Sequence, residues 1–181
     1  SYDFIANARS DWAWVFDYDP NVVRLHKTLK ILVEQSPTVD ILLSRFSEEK
    51  EEETRKLILE SKHFDEKTRD ILERFYAGYR KKLGRHYRKS HKKPINEGFG
   101  WLATPENYAH IHQMYKNGHI VPVGADMLGS KALRSIGVQA QKMHIPIRIF
   151  YVSNAPTAWG SQVTPDWRKN ILGLPFDEQS V

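Results

Sequence analysis

The sequence predicts an α/β fold, a parallel sheet interrupted by an α-helical insertion. Two patterns and the length carry this. Short apolar runs rich in aromatic or β-branched residues alternate with stretches of helical periodicity, and residues 37–93 hold helix signals with no strand signal between them. The 181 residues suit one domain with a full core and are too few for two comfortable ones. The expectation is a single α/β domain over 1–181 with a helical insertion at 37–93.

The elements follow in chain order. SYDFIANARS reads as a turn or two of helix. Trp12-Ala13-Trp14-Val15-Phe16 is a continuous apolar run closed by Asp17-Tyr18-Asp19-Pro20, the pattern of a first strand buried on both faces. Asn21 is the expected cap of a helix whose Val22, Val23, Leu25, Leu29, Leu32 and Val33 recur at helical spacing up to Gln35. Within the insertion, Thr38 to Phe46 reads as a helix. Ser47 opens an acidic helix start, and Ile71, Leu72, Phe75, Tyr76 and Tyr79 give the next helix one apolar stripe. Thr104-Pro105 is an N-cap followed by proline at the first helical position, and Asn117-Gly118 is a stop. His119 to Gly124 reads as a second strand, Ser130 to His144 as a helix, and Ile145 to Val152 as a third strand, although Pro122 and Pro146 each remove a ladder donor.

Composition narrows the function classes. An apolar content of 40% and an aromatic content of 12% exclude a disordered chain. No run approaches the roughly 18 apolar residues of a membrane span, and the first residues lack a signal-peptide layout, so neither membrane nor export is expected. Zero cysteines remove disulfides, thiolate nucleophiles and Cys-ligated zinc together, and the cytoplasm is the expected compartment. The net charge of +5 is local. Residues 80–93 carry eight Lys or Arg and no acid, leaving 19 basic against 22 acidic residues and a net of −3 elsewhere.

In open parallel sheets ligands bind outside the carboxyl ends of the strands. The first strand leaves through Asp17-Tyr18-Asp19, where a carboxylate suits the paired hydroxyls of a ribose. The second leaves through Gly124-Ala125-Asp126, with glycine for close backbone approach and Asp126 for a polar ring edge; the third leaves through Ser153-Asn154-Ala155-Pro156, an amide on a rigid turn. The competing structural reading is that these residues cap helices and make turns. No metal site is expected, because His110 and His112 at i and i+2 point to different helix faces. Ser130 and Ser153 lack a nucleophile signature. Trp101, Trp159 and Trp167 read as core anchors, and Glu48 to Glu53 as a solvated face.

The segments DWAWVFDYDPNVVRLHKTLKILVEQSPT, HIVPVGADMLGSKAL, IRIFYVSNAP and NILGLPFDEQS resemble a family of bacterial proteins whose core is similar to class I S-adenosylmethionine-dependent methyltransferases. The resemblance covers most of the chain outside the insertion. It implies a Rossmann-like sheet and S-adenosylmethionine as cofactor, with Asp17 or Asp19 at the ribose, Asp126 near the adenine, and Asn154 near the transferred group; Gly124 is the cofactor-binding glycine of the second strand's turn. No GxGxxG occurs in the chain. The expectation is therefore a truncated methyltransferase-like domain, its glycine turn lying upstream of Ser1, or one that has lost cofactor binding.

The alternative function is a non-catalytic binding module built on the basic segment. Arg80, Lys81, Lys82, Arg85, Arg88, Lys89, Lys92 and Lys93, interleaved with Tyr87, His86 and His91, would engage the phosphates and bases of a nucleic acid, or an acidic protein. The competing reading is a solvated helix end that balances the preceding glutamates.

Overall fold

The computed structural model describes residues 1–92, 98–153, 160 and 164–181. Where the sequence suggests one domain, the chain divides into two compact units, Ser1–Val123 and Gly124–Val181. The fold is mixed α/β but mostly helical, with a parallel sheet of two strands among the described residues.

The first unit runs α1 (Tyr2–Asn7), β1 (Ala13–Asp17), α2 (Pro20–Glu34), α3 (Val39–Ser44), α4 (Glu51–Leu59), α5 (Glu66–Lys92), α6 (Pro105–Lys116) and β2 (Ile120–Gly124). Helix α2 is its axis and packs against β1, α4, α5 and α6. Leu29, Leu32 and Val33 of α2 are buried with Ile58 of α4, Tyr76 of α5 and Ile111 of α6, each such side chain contributing about 1.5–3 kcal/mol of transfer free energy.

Local chemistry sets the helix ends. The cap of α2 is Asp19 rather than Asn21: its Oδ1 accepts the Asn21 N–H at 2.8 Å, and Pro20 fills the first helical position. Thr104 caps α6 as its sequence suggests, and Thr38, expected as the first residue of its helix, is the cap of α3. Ser47 does not open a helix. Residues 47–50 form turns after α3, and α4 starts at Glu51 with three glutamates in its first turn. Helix α6 closes at Gly118, whose φ of +73° lets the His119 N–H reach the Met114 carbonyl at 2.8 Å.

The two strands correct the sequence reading in detail. β1 is not buried on both faces; only Val15 is buried, and each strand of a two-stranded sheet is an edge. That edge status is also what lets β2 keep Pro122. The expected third strand does not form. Residues 145–152 carry no strand, Pro146 lacks a donor, and the segment bonds the tail irregularly, Ile147 N–H to Pro175 O and Phe150 N–H to Val181 O.

The second unit holds α7 (Ala132–Lys142) and α8 (Pro165–Leu172), which pack together. Thr164 caps α8 by accepting the Trp167 N–H and donates its hydroxyl to the Leu128 carbonyl at 2.9 Å. A Cβ at Gly137 would lie 3.3 Å from both the Gly173 carbonyl and the Leu174 side chain, so glycine sets the closeness of α7 to that turn.

Candidate functional site

β1 ends on Asp17, and the chain turns at once into α2. The Asp17 Oδ1 accepts the Asp19 N–H at 2.8 Å, and the Asp19 Oδ1 accepts the Asn21 N–H at 2.8 Å. Both carboxylates are half-buried and brought together, while Tyr18 between them is 80% exposed. Each acid thus spends one oxygen on the local turn. β1 and β2 are parallel, so the strand ends at Asp17 and Gly124 lie at one edge of the sheet.

The first unit also holds a buried polar network absent from the sequence reading. His26, one and a half turns into α2, has its Nδ1 2.7 Å from the Tyr2 hydroxyl, which lies 2.5 Å from the Tyr115 hydroxyl. Burial holds the His26 pKa down to about 4 against a smaller opposing pull from Asp17. A neutral imidazole offers one donor and one acceptor nitrogen, so the proton order along Tyr115, Tyr2 and His26 follows the His26 tautomer. Burial also raises the phenols of Tyr2, Tyr87 and Tyr115. The signal for His26 was available in the sequence: Val22, His26, Leu29 and Val33 fall at i, i+4, i+7 and i+11 on one stripe.

The remaining cofactor candidates sit in the second unit. Gly124 and Asp126 are exposed, and the Asp126 Oδ1 accepts the Leu128 N–H at 2.9 Å in a tight turn. Asn154 lies outside the described residues.

The basic segment is the C-terminal half of α5 and splits by helical phase. Arg80 is 5% exposed; its Nη1 donates to the Phe46 carbonyl at 3.1 Å and its Nη2 pairs with Glu51 at 2.5 Å. Tyr87 is 5% exposed, its ring edge-on to Trp101. Neither is placed to meet a nucleic acid. Lys81, Lys82, Arg85, Arg88, Lys89 and Lys92 are exposed, and Lys93 lies outside the described residues. Tyr79, assigned to the apolar stripe by sequence, is 38% exposed.

Other residues have structural uses. His110 Nε2 lies 3.0 Å from the Ser10 carbonyl, and His112 stacks on Tyr108. Among the described residues no group of three or more His, Asp or Glu is placed to hold a metal ion. Trp101 is a buried core anchor, Trp167 is half-buried, and Trp159 lies outside the described residues. The glutamate run is a mostly exposed face, as expected, and its charges are paired: Glu51 with Arg80, Glu52 with Arg55, and Glu53 with Lys50 and Arg45. No helix among the described residues is long and apolar enough to cross a membrane.

Over its whole length, residues 1–181, the chain matches the DUF7790 family, a domain of unknown function, and it belongs to that family. No curated protein matches it.

Proposed function

We propose that the chain is a nucleoside-cofactor domain of the S-adenosylmethionine-dependent methyltransferase type with a Rossmann-like core. The observation that supports it best is the unit β1, Asp17-Tyr18-Asp19-Pro20, α2, paired in parallel with β2. In the Rossmann order 3-2-1-4-5-6 the second and third strands are neighbours and the fourth borders the first. β1 and β2 in the second and third positions suit that order.

The donor set fits a ribose. After the turn has taken one oxygen of Asp17 and of Asp19, each carboxylate has a second oxygen, and a vicinal diol donates two hydrogen bonds. The cofactor supplies an electrophilic methyl group when bound. The protein's work is to hold and orient it, with no acid–base pair required. The same reading gives the adenine to Asp126 and the transferred group to Asn154, on the resemblance alone.

Calorimetry with S-adenosylmethionine and its demethylated product, on the natural protein that carries these residues, tests the reading. Asp17→Asn keeps the turn bond and loses the charge; it is expected to weaken binding about tenfold or more. Absence of binding, or an Asp17→Asn variant that binds as the parent does, ends the cofactor reading.

A further inference from the structure

We propose that the exposed face of the C-terminal half of α5 is a docking surface for single-stranded nucleic acid. This stands independently of the cofactor reading.

From Arg74 to Lys92 the helix contains no acidic residue. At 100° per residue, Lys81, Arg85, Arg88 and Lys92 fall at i, i+4, i+7 and i+11 and form one row about 16 Å long. Lys82, His86 and Lys89 form the row beside it, and all seven side chains are exposed. Among the described residues none of the six Lys and Arg makes an ion pair, because the nearby glutamates are engaged by Arg80, Arg55, Arg45 and Lys50. Like charges one turn apart disfavour the helix that carries them. An anionic partner removes that repulsion, which is the charge complementarity that identifies the occupant as a polyanion.

Tyr79 favours a nucleic acid over an acidic protein. It lies at i−3 to Lys82 and i−7 to His86, in line with the second row, and its exposed ring is stacked on Phe75 with centroids 4.7 Å apart. A ring braced from behind, beside a row that neutralises phosphates, is a stacking platform for an unpaired base. A lipid surface is disfavoured because the exposed positions from Lys81 to Lys92 present no large apolar side chain to insert.

The test is fluorescence anisotropy of a labelled oligouridylate of about 20 nucleotides against the natural protein, titrated with salt. Affinity is expected to fall steeply, with a logarithmic slope of about −0.7 per phosphate contact. The quadruple variant Lys81→Gln/Arg85→Gln/Arg88→Gln/Lys92→Gln is expected to reduce that slope by about 2–3 and to weaken binding about tenfold or more near 0.1 M salt. Lys56→Gln/Lys62→Gln/Lys67→Gln/Lys116→Gln removes the same charge from exposed positions elsewhere and is expected to change binding less than about twofold. Tyr79→Leu keeps Phe75 covered and is expected to weaken the RNA about fivefold while leaving polyglutamate binding unchanged.

Three results overturn the proposal. One is a flat salt response in the parent, and another is equal weakening by the two quadruple variants. The third is polyglutamate or phosphatidylserine vesicles binding as tightly as the RNA, with Tyr79→Leu neutral. If the α5 quadruple variant loses its helical circular dichroism, the parent's salt slope and Tyr79→Leu decide the matter.

Discussion

Arg80 and Arg88 lie two turns apart on α5, and the structure treats them oppositely. Arg80 is buried, bonded to the Phe46 carbonyl and paired with Glu51. Arg88 is exposed, without an ion pair among the described residues, its guanidinium lying back over Gly84. About 80° of rotation around the helix axis separates a structural cation from a free one. Net charge therefore describes this segment poorly, and helical phase describes it well.

The largest expected effect would break that distinction if it failed. Arg80→Ala strips the partner from Glu51 and the donor from the Phe46 carbonyl, and is expected to cost about 3–5 kcal/mol in urea unfolding. Arg85→Ala and Arg88→Ala touch no buried partner and are expected to stay within about 0.5 kcal/mol. Equal costs at Arg80 and Arg88 would show that burial phase does not separate the two halves of the helix.

Histidines repeat the contrast. His86 is exposed, whereas His26 is buried on Tyr2 with its pKa held at about 4. In the unfolded chain an ordinary histidine takes a proton near pH 6.5, so between pH 6.5 and about 4 the unfolded state binds more protons than the folded one. Stability from this residue is complete above that window and is lost as the pH falls through it. Going from pH 7 to pH 5 should cost on the order of 2 kcal/mol through His26. Urea midpoints at the two values check it: His26→Gln should flatten the dependence.

Gly84 sharpens the same boundary from the backbone side. A Cβ there would meet the Phe46 Cβ at 2.7 Å. Gly84→Ala gains about 1 kcal/mol of helix propensity and loses more to that overlap, for an expected net cost of about 1–2 kcal/mol by urea unfolding. Gly78, on the same helix with nothing within 4 Å of its Cβ position, should instead be stabilised by alanine.

Local signals were legible in the sequence. Thr38, Thr104 and Gly118 act where their side chains or their backbone freedom place them, because a cap needs only its own few residues. Asp19 took the cap expected of Asn21 because Pro20 suits the first helical position and so fixes the residue before it as the cap. Readings that needed a distant partner were not legible. Ile145 to Val152 has the composition of a strand, but a strand needs a regular ladder, and the backbone bonds of this segment to residues 175 and 181 are irregular. Tyr87 was misplaced for a simpler reason: it was read as one member of a basic run. Carrying the Leu72, Tyr76 spacing onward reaches Arg80, Leu83, Gly84 and Tyr87, the face that packs inward. Asp17 was found from its position after an apolar run, but the network of His26, Tyr2 and Tyr115 joins three separated segments that no local pattern connects.

The smallest effect tests whether position outranks residue type at a helix end. α6 and α7 close with the same pair of bonds, His119 to Met114 O at 2.8 Å with Gly118 to Tyr115 O at 3.0 Å, and Ile145 to Ala140 O at 3.1 Å with His144 to Gln141 O at 3.0 Å. One end places glycine at φ +73°, the other histidine at φ +55°. A side chain in that region crowds the neighbouring carbonyl and costs about 1–2 kcal/mol, while glycine gives back about half of the relief through its freer unfolded chain. His144→Gly is thus expected to stabilise by about 0.5–1 kcal/mol, and Gly118→Ala to destabilise by about 1 kcal/mol, both read from urea midpoints. The His144 side chain is exposed and makes no bond that glycine would forfeit among the described residues. A neutral or destabilising His144→Gly would mean that the imidazole itself holds the turn. In that case residue chemistry, rather than backbone position, would set this helix end.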